Sequence, residues 1–144
     1  MQRENFEFYL HHADAPVEGV ELVAFERVWD LHNCFDFGGF AFEPLRDELV
    51  LSWNANEYAP VPRVRGCRLR FREVKSLELT SRDGEYPLTS ADRLEWIAKV
   101  IPGEREFPLK ANWDPGEDFE IEIVFEDERR MRIGARSAVF EVEV

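Results

Sequence analysis

Phe119-Glu120-Ile121-Glu122-Ile123, Phe140-Glu141-Val142-Glu143-Val144 and Arg68-Leu69-Arg70-Phe71-Arg72 place an apolar side chain and a charged one at alternate positions. Successive side chains of an extended strand point to opposite faces, so a period of two gives each strand one oily face and one wet face. The same alternation is present in Phe6-Glu7-Phe8 and in Leu49-Val50-Leu51-Ser52-Trp53. Such strands bury their apolar faces against one another, which predicts a mainly β chain: an antiparallel β-sandwich or partly open barrel of about eight or nine strands.

The 144 residues fit a single β-rich domain, 1–144, since no linker divides them. Twelve Phe and four Trp supply enough apolar surface for one core. The net charge of −12 opposes binding to nucleic-acid phosphates or to an anionic membrane surface and favours a basic protein partner. Acidity also serves solubility, so charge alone names no partner. Cys34 and Cys67 are too few for a disulfide framework. With neither a signal peptide nor a long apolar run in the sequence, a cytoplasmic location is expected.

Working outward from the alternating stretches, strands are expected at 6–10, 20–29, 48–54, 67–72, 74–80, 119–125, 130–134 and 137–144. Phe35-Asp36-Phe37 and Phe40-Ala41-Phe42 flank Gly38-Gly39, which reads as a tight hairpin because paired glycines accept the positive φ of a two-residue turn. Arg82-Asp83-Gly84-Glu85 reads as a further turn. Residues 91–101 fit two periods. Leu94, Ile97, Ala98 and Ile101 match a helix, with Thr89 and Asp92 as a capping box, while Leu94, Trp96, Ala98 and Val100 match a strand. One short helix is the expectation there, at most one in the chain. Residues 102–116, with three prolines and two glycines, read as a long loop of the kind that often carries function.

No catalytic signature is present: there is no Gly-x-Ser-x-Gly elbow, and Asp36-Phe37-Gly38 lacks every companion motif of a kinase. The chain is therefore expected to bind without catalysing. His11, His12, His32 and Cys34 are zinc-ligand types at poor spacing, so no metal and no cofactor is expected. Arg68, Arg70 and Arg72 share a strand face, and Glu120, Glu122, Glu141 and Glu143 project outward from two other strands. Cross-strand ion pairs between them explain the arginines better than an anion site. Trp53 shares its face with Leu49 and Leu51 and belongs to the core. Trp113, flanked by Asn112 and Asp114 in the long loop, and Tyr58, beside Glu57, are the candidate partner- or ligand-binding residues, since an aromatic with polar neighbours can fill a partner's pocket or stack on a sugar.

Val28 to Asn56, including Leu31-His32-Asn33-Cys34-Phe35-Asp36 and Glu48-Leu49-Val50-Leu51-Ser52-Trp53, followed by Leu69-Arg70-Phe71-Arg72-Glu73-Val74, resembles short bacterial proteins containing a domain of unknown function. The pattern of an early tryptophan strand, a central Leu-x-Phe-x-x-Val element and a C-terminal hairpin is also similar to immunity proteins of polymorphic toxin systems. The resemblance implies an interaction protein covering a basic toxin or enzyme surface, and it carries over no functional residue. A carbohydrate- or small-ligand-binding β module and a homo-oligomeric structural protein, such as a homodimer pairing through an exposed strand edge, are the alternatives.

Overall fold

The structure, a computed structural model, describes residues 2–4, 7–8, 21–59, 63–81, 94–100, 119–126 and 128–144. Every regular element among them is a strand, and all pairings are antiparallel. One sheet has the order β1 (Gln2–Glu4), β12 (Ser137–Glu143), β7 (Gly66–Arg72), β6 (Glu48–Ala55), β5 (Phe35–Glu43). A second is ordered β8 (Ser76–Thr80), β11 (Arg130–Ala135), β10 (Phe119–Phe125), β9 (Leu94–Val100). A small third sheet holds β2 (Glu7–Phe8), β3 (Glu21–Ala24) and β4 (Arg27–Asp30). No sheet closes on itself among the described residues, so the architecture is sandwich-like.

The alternation sorts side chains as the sequence requires. Leu49, Leu51, Trp53, Cys67, Leu69, Phe71, Phe140 and Val142 face inward from the first sheet, and Ile121, Ile123, Phe125, Met131 and Ile133 from the second. Leu22, Ala24 and Trp29 of the third sheet join the same cluster, with Trp29 packed 5.3 Å from Phe140. The chain crosses between the first and second sheets twice, side by side, after β7 and after β11. Lys75 N donates to Gly134 O (2.7 Å) and Arg136 N to Arg72 O (3.2 Å), which ties the crossings together.

Several expectations need correction. Residues 94–100 form strand β9, which replaces the expected short helix. β9 pairs with β10 from Glu120↔Val100 to Phe125↔Leu94, satisfying backbone groups that a helix would leave open along β10. The single strand expected over 20–29 is a hairpin of β3 and β4 turning at Phe25 and Glu26, both at positive φ (53° and 58°). That conformation is costly for bulky residues. Phe25 N donates to the Glu4 carboxylate, and the Phe25 ring packs against Trp29 and Phe140, which offsets the strain. The split of 20–29, the short strand β1 and strand β9 raise the strand total above the expected eight or nine. Of the strand expected at 6–10, only 7–8 is described, and the turn at 82–85 lies outside the described residues.

The Gly38-Gly39 hairpin is also a correction. β5 runs straight through the glycines as one strand against β6, with a bulge between Phe37 and Gly39. Phe37 pairs with Trp53 and Phe40 with Leu51, both inward-facing partners. Three positions separate the two phenylalanines, so a regular strand would put them on opposite faces; the one extra residue keeps Phe35, Phe37, Phe40 and Phe42 on the same side. Gly39 carries a φ of +130°, which only glycine adopts without strain.

Candidate interaction surface

The outward carboxylates and arginines form two ladders instead of the single one expected. On the first sheet, Arg70 Nε donates to Glu141 Oε1 (2.8 Å), with Nη2 3.3 Å from Oε2, and Arg70 also bonds Glu48 of β6. Arg3 Nε approaches Glu141 Oε1 from the opposite side at 2.8 Å, and Arg68 pairs with Glu143 at 3.4 Å. On the second sheet, Glu120 and Glu122 meet Arg132 (3.2 and 3.9 Å), and Glu122 also meets Arg130 (3.4 Å). Glu120 and Glu122 thus find arginines across their own hairpin, in a different sheet from Arg68 and Arg70. Glu141 is 0% exposed, although Ala138, Phe140 and Val142 are the residues of β12 that face the core. Its burial lies on the ionic face, between Arg3 and Arg70. The hydrogen bond to Glu141 is the largest influence raising the Arg70 pKa.

At one end of the sheets, two loops are locked by a single amide. Asn56 N donates to Cys34 O (3.1 Å), and Asn56 Nδ2 donates to Asn33 O (3.1 Å) and to Asp36 Oδ1 (3.2 Å). Asn56 Oδ1 accepts from Tyr58 N (2.9 Å), and Asn56 O accepts from Ala59 N (3.2 Å). The loop at 31–34 is built in the same way by Asp30. Its Oδ1 accepts from His32 N (3.0 Å) and Asn33 N (2.9 Å), while Oδ2 accepts from Asn33 Nδ2 (2.7 Å). Short Asx side chains hold such turns because they reach their own backbone a few residues on. His32 Nε2 lies 3.8 Å from Glu126 Oε1, bringing the β10–β11 turn to the same end.

The product is a fixed platform that displays Tyr58, 69% exposed, next to the exposed Glu57. Asp30, Asp36 and Glu126 lie in the segments joined to it. Trp113, Asn112 and Asp114 lie outside the described residues, as do residues 102–116 as a whole and His11 and His12. Trp53 is a core residue, 1% exposed, and its indole N–H has no hydrogen-bond partner among the described residues. Cys67 is buried among apolar neighbours, and burial pushes its thiol pKa up. Among the described residues no group of three His, Cys, Asp or Glu side chains is placed to hold a metal ion, and no helix is long and apolar enough to cross a membrane. The sequence marks Tyr58 and Glu57, with Asn56 only as a polar neighbour, and does not single out Asp30 or the bonds by which Asn56 and Asp30 hold the platform. The signal available was Asx spacing, Asp30 three residues ahead of Asn33 and Asn56 two ahead of Tyr58.

Comparison with protein-family models, with curated proteins and with solved structures found no match.

Proposed function

We propose that this chain is a non-catalytic interaction protein whose acidic surface covers a basic patch on a protein partner, in the manner of an immunity protein. One observation carries the reading: an exposed tyrosine stands on a hydrogen-bonded platform within an acidic stretch. Residues 21–59 hold eight acidic and two basic residues. Four of the arginines outside this stretch are engaged in the ladders: Arg68 and Arg70 by Glu143, Glu141 and Glu48, and Arg130 and Arg132 by Glu122 and Glu120. Opposite charge steers encounter, and an aromatic residue whose backbone is already held by Asn56 has less chain freedom to lose when it docks.

The experiment is co-expression with basic proteins encoded by genes neighbouring this one, followed by co-purification and association kinetics across ionic strength. Retention at low salt is expected, with an on-rate that falls as salt rises. Glu57→Lys lowers the on-rate, and Tyr58→Ala chiefly raises the off-rate. Failure to retain the partner, or association indifferent to salt, overturns the reading.

A further inference from the structure

We propose that the free edge of β5 is a second, strand-adding part of this surface, which takes up an extended segment of the partner carrying basic residues on one face and apolar residues on the other. The inference rests on the reading of the chain as an acidic binder. β5 is the last strand of its sheet, and its far edge has no hydrogen-bonded neighbour among the described residues. Edge strands are usually protected by shortness, lysine, proline or a bulge. β5 is nine residues long, contains neither lysine nor proline, and beyond its one bulge pairs regularly with β6 from Gly39 to Glu43.

The bulge divides the strand's inward face into two parts. Phe35 is buried, and Phe37 packs 5.3 Å from Trp53 and 4.5 Å from Phe125. Beyond the glycines, Phe40 and Phe42 point the same way but remain 46% and 40% exposed, with exposed Leu45 at the hairpin tip. Open backbone and two half-bare rings lie side by side. An added strand would hydrogen-bond to the first and cover the second.

Charge selects the occupant. The wet face of β5 carries Asp36 and Glu43 at its ends, with the small residues Gly39 and Ala41 between them. On the paired side, β6 runs from Glu48 opposite Glu43 to Asn54 opposite Asp36, with Leu49, Leu51 and Trp53 inward between them. An incoming antiparallel strand in that register would set basic residues against the two carboxylates and apolar residues against Phe42, Phe40 and Phe37. A second copy of this chain would instead align Asp36 and Glu43 along two paired edges, where like charges repel.

The probe is a synthetic peptide of that register, with lysines at the two positions facing Asp36 and Glu43, valines at the inward positions and threonines between. Its control carries the same lysines with prolines in place of the valines, so that charge is kept and strand pairing lost. Binding is followed by amide chemical shifts and hydrogen exchange on the full chain. The valine peptide is expected to bind and to protect β5 amides, with the proline peptide at least about tenfold weaker. Phe40→Ser with Phe42→Ser is expected to weaken the valine peptide about tenfold without unfolding a chain in which both rings are already half exposed. Equal binding of both peptides, weakened by salt, overturns strand addition while leaving the acidic reading standing. Binding of the valine peptide that ignores salt overturns the acidic reading and retains the edge; binding of neither peptide overturns strand addition. A dimer in sedimentation that the double substitution dissociates makes the occupant a second copy and also overturns the proposal.

Discussion

Glu141→Gln tests whether the ionic face is a structural element or a set of surface pairs. The substitution keeps the side chain's size and removes the negative charge lodged between Arg3 and Arg70. Removing one partner of a fully buried ion pair costs about 3–5 kcal/mol, because the remaining charge is left uncompensated. Here the penalty is reduced on two counts. The Arg3 side chain is 52% exposed and rehydrates, and Arg70 keeps Glu48. The expected loss is therefore about 2 kcal/mol, still above the ~0.2–1 kcal/mol of an exposed pair. In urea, with a slope of about 1–3 kcal/mol per molar, the unfolding midpoint should fall by about 1 M. Glu143→Gln is the internal control. Its partner Arg68 lies at 3.4 Å with both side chains more than a third exposed, so the change should stay within about 0.5 kcal/mol. Adding Arg70→Met to Glu141→Gln should restore part of the loss, since the stranded guanidinium is then gone. Equal midpoints for the Glu141 and Glu143 variants would show that Glu141 is solvated, and the reasoning would fail.

Because burial raises the Cys67 pKa, the folded chain keeps a proton that the unfolded chain releases above pH ~8.5. The thiol's contribution is complete below that pH and declines by about 1.4 kcal/mol per pH unit above it, so the stability difference between wild type and Cys67→Ala should shrink from pH 8 to 10 in denaturant titrations. Gly66→Ala would place a Cβ 2.5 Å from the Trp53 carbonyl oxygen and should cost about 3 kcal/mol, whereas Gly134→Ala meets only the movable Ser76 hydroxyl and should cost markedly less; thermal melts of the pair check the ranking. Gly39→Ala has open space but the wrong backbone, and should lose about 1–3 kcal/mol that a D-alanine at the same position recovers in a semisynthetic chain.

The sandwich was legible because two-residue alternation fixes which face of each strand is oily, and the final strands were read almost to the residue. Elsewhere one signal served two geometries. Gly38-Gly39 suits a hairpin turn and a bulge alike; the odd spacing of Phe37 and Phe40 held the answer, but only once β6 supplied a continuous ruler beside it. The turn at Phe25-Glu26 carries none of the glycine, asparagine or proline that marks a reversal, since tertiary contacts from Glu4, Trp29 and Phe140 sustain it. Residues 94–100 satisfied both periods, and the open side of β10 decided between them. Arg68 and Arg70 were assigned carboxylates as partners from chemistry, but which glutamate each one reached depended on sheet order, which no local pattern encodes. Tyr58 was visible as an aromatic among polar residues; the bonds from Asn56 and Asp30 that present it depend on loops distant in sequence.

The bulge in β5 acts on parity, and parity has an evolutionary consequence. Point substitutions around Gly38 can soften or stiffen the strand, yet none of them changes which side Phe40 and Phe42 occupy. Loss of one residue would swing both rings across to the side of Glu48 and Arg70, and a second single-residue change farther along would swing them back. Divergence along this strand should therefore proceed by compensated insertions and deletions, leaving homologues whose aligned letters differ in number while their phenylalanines still point the same way.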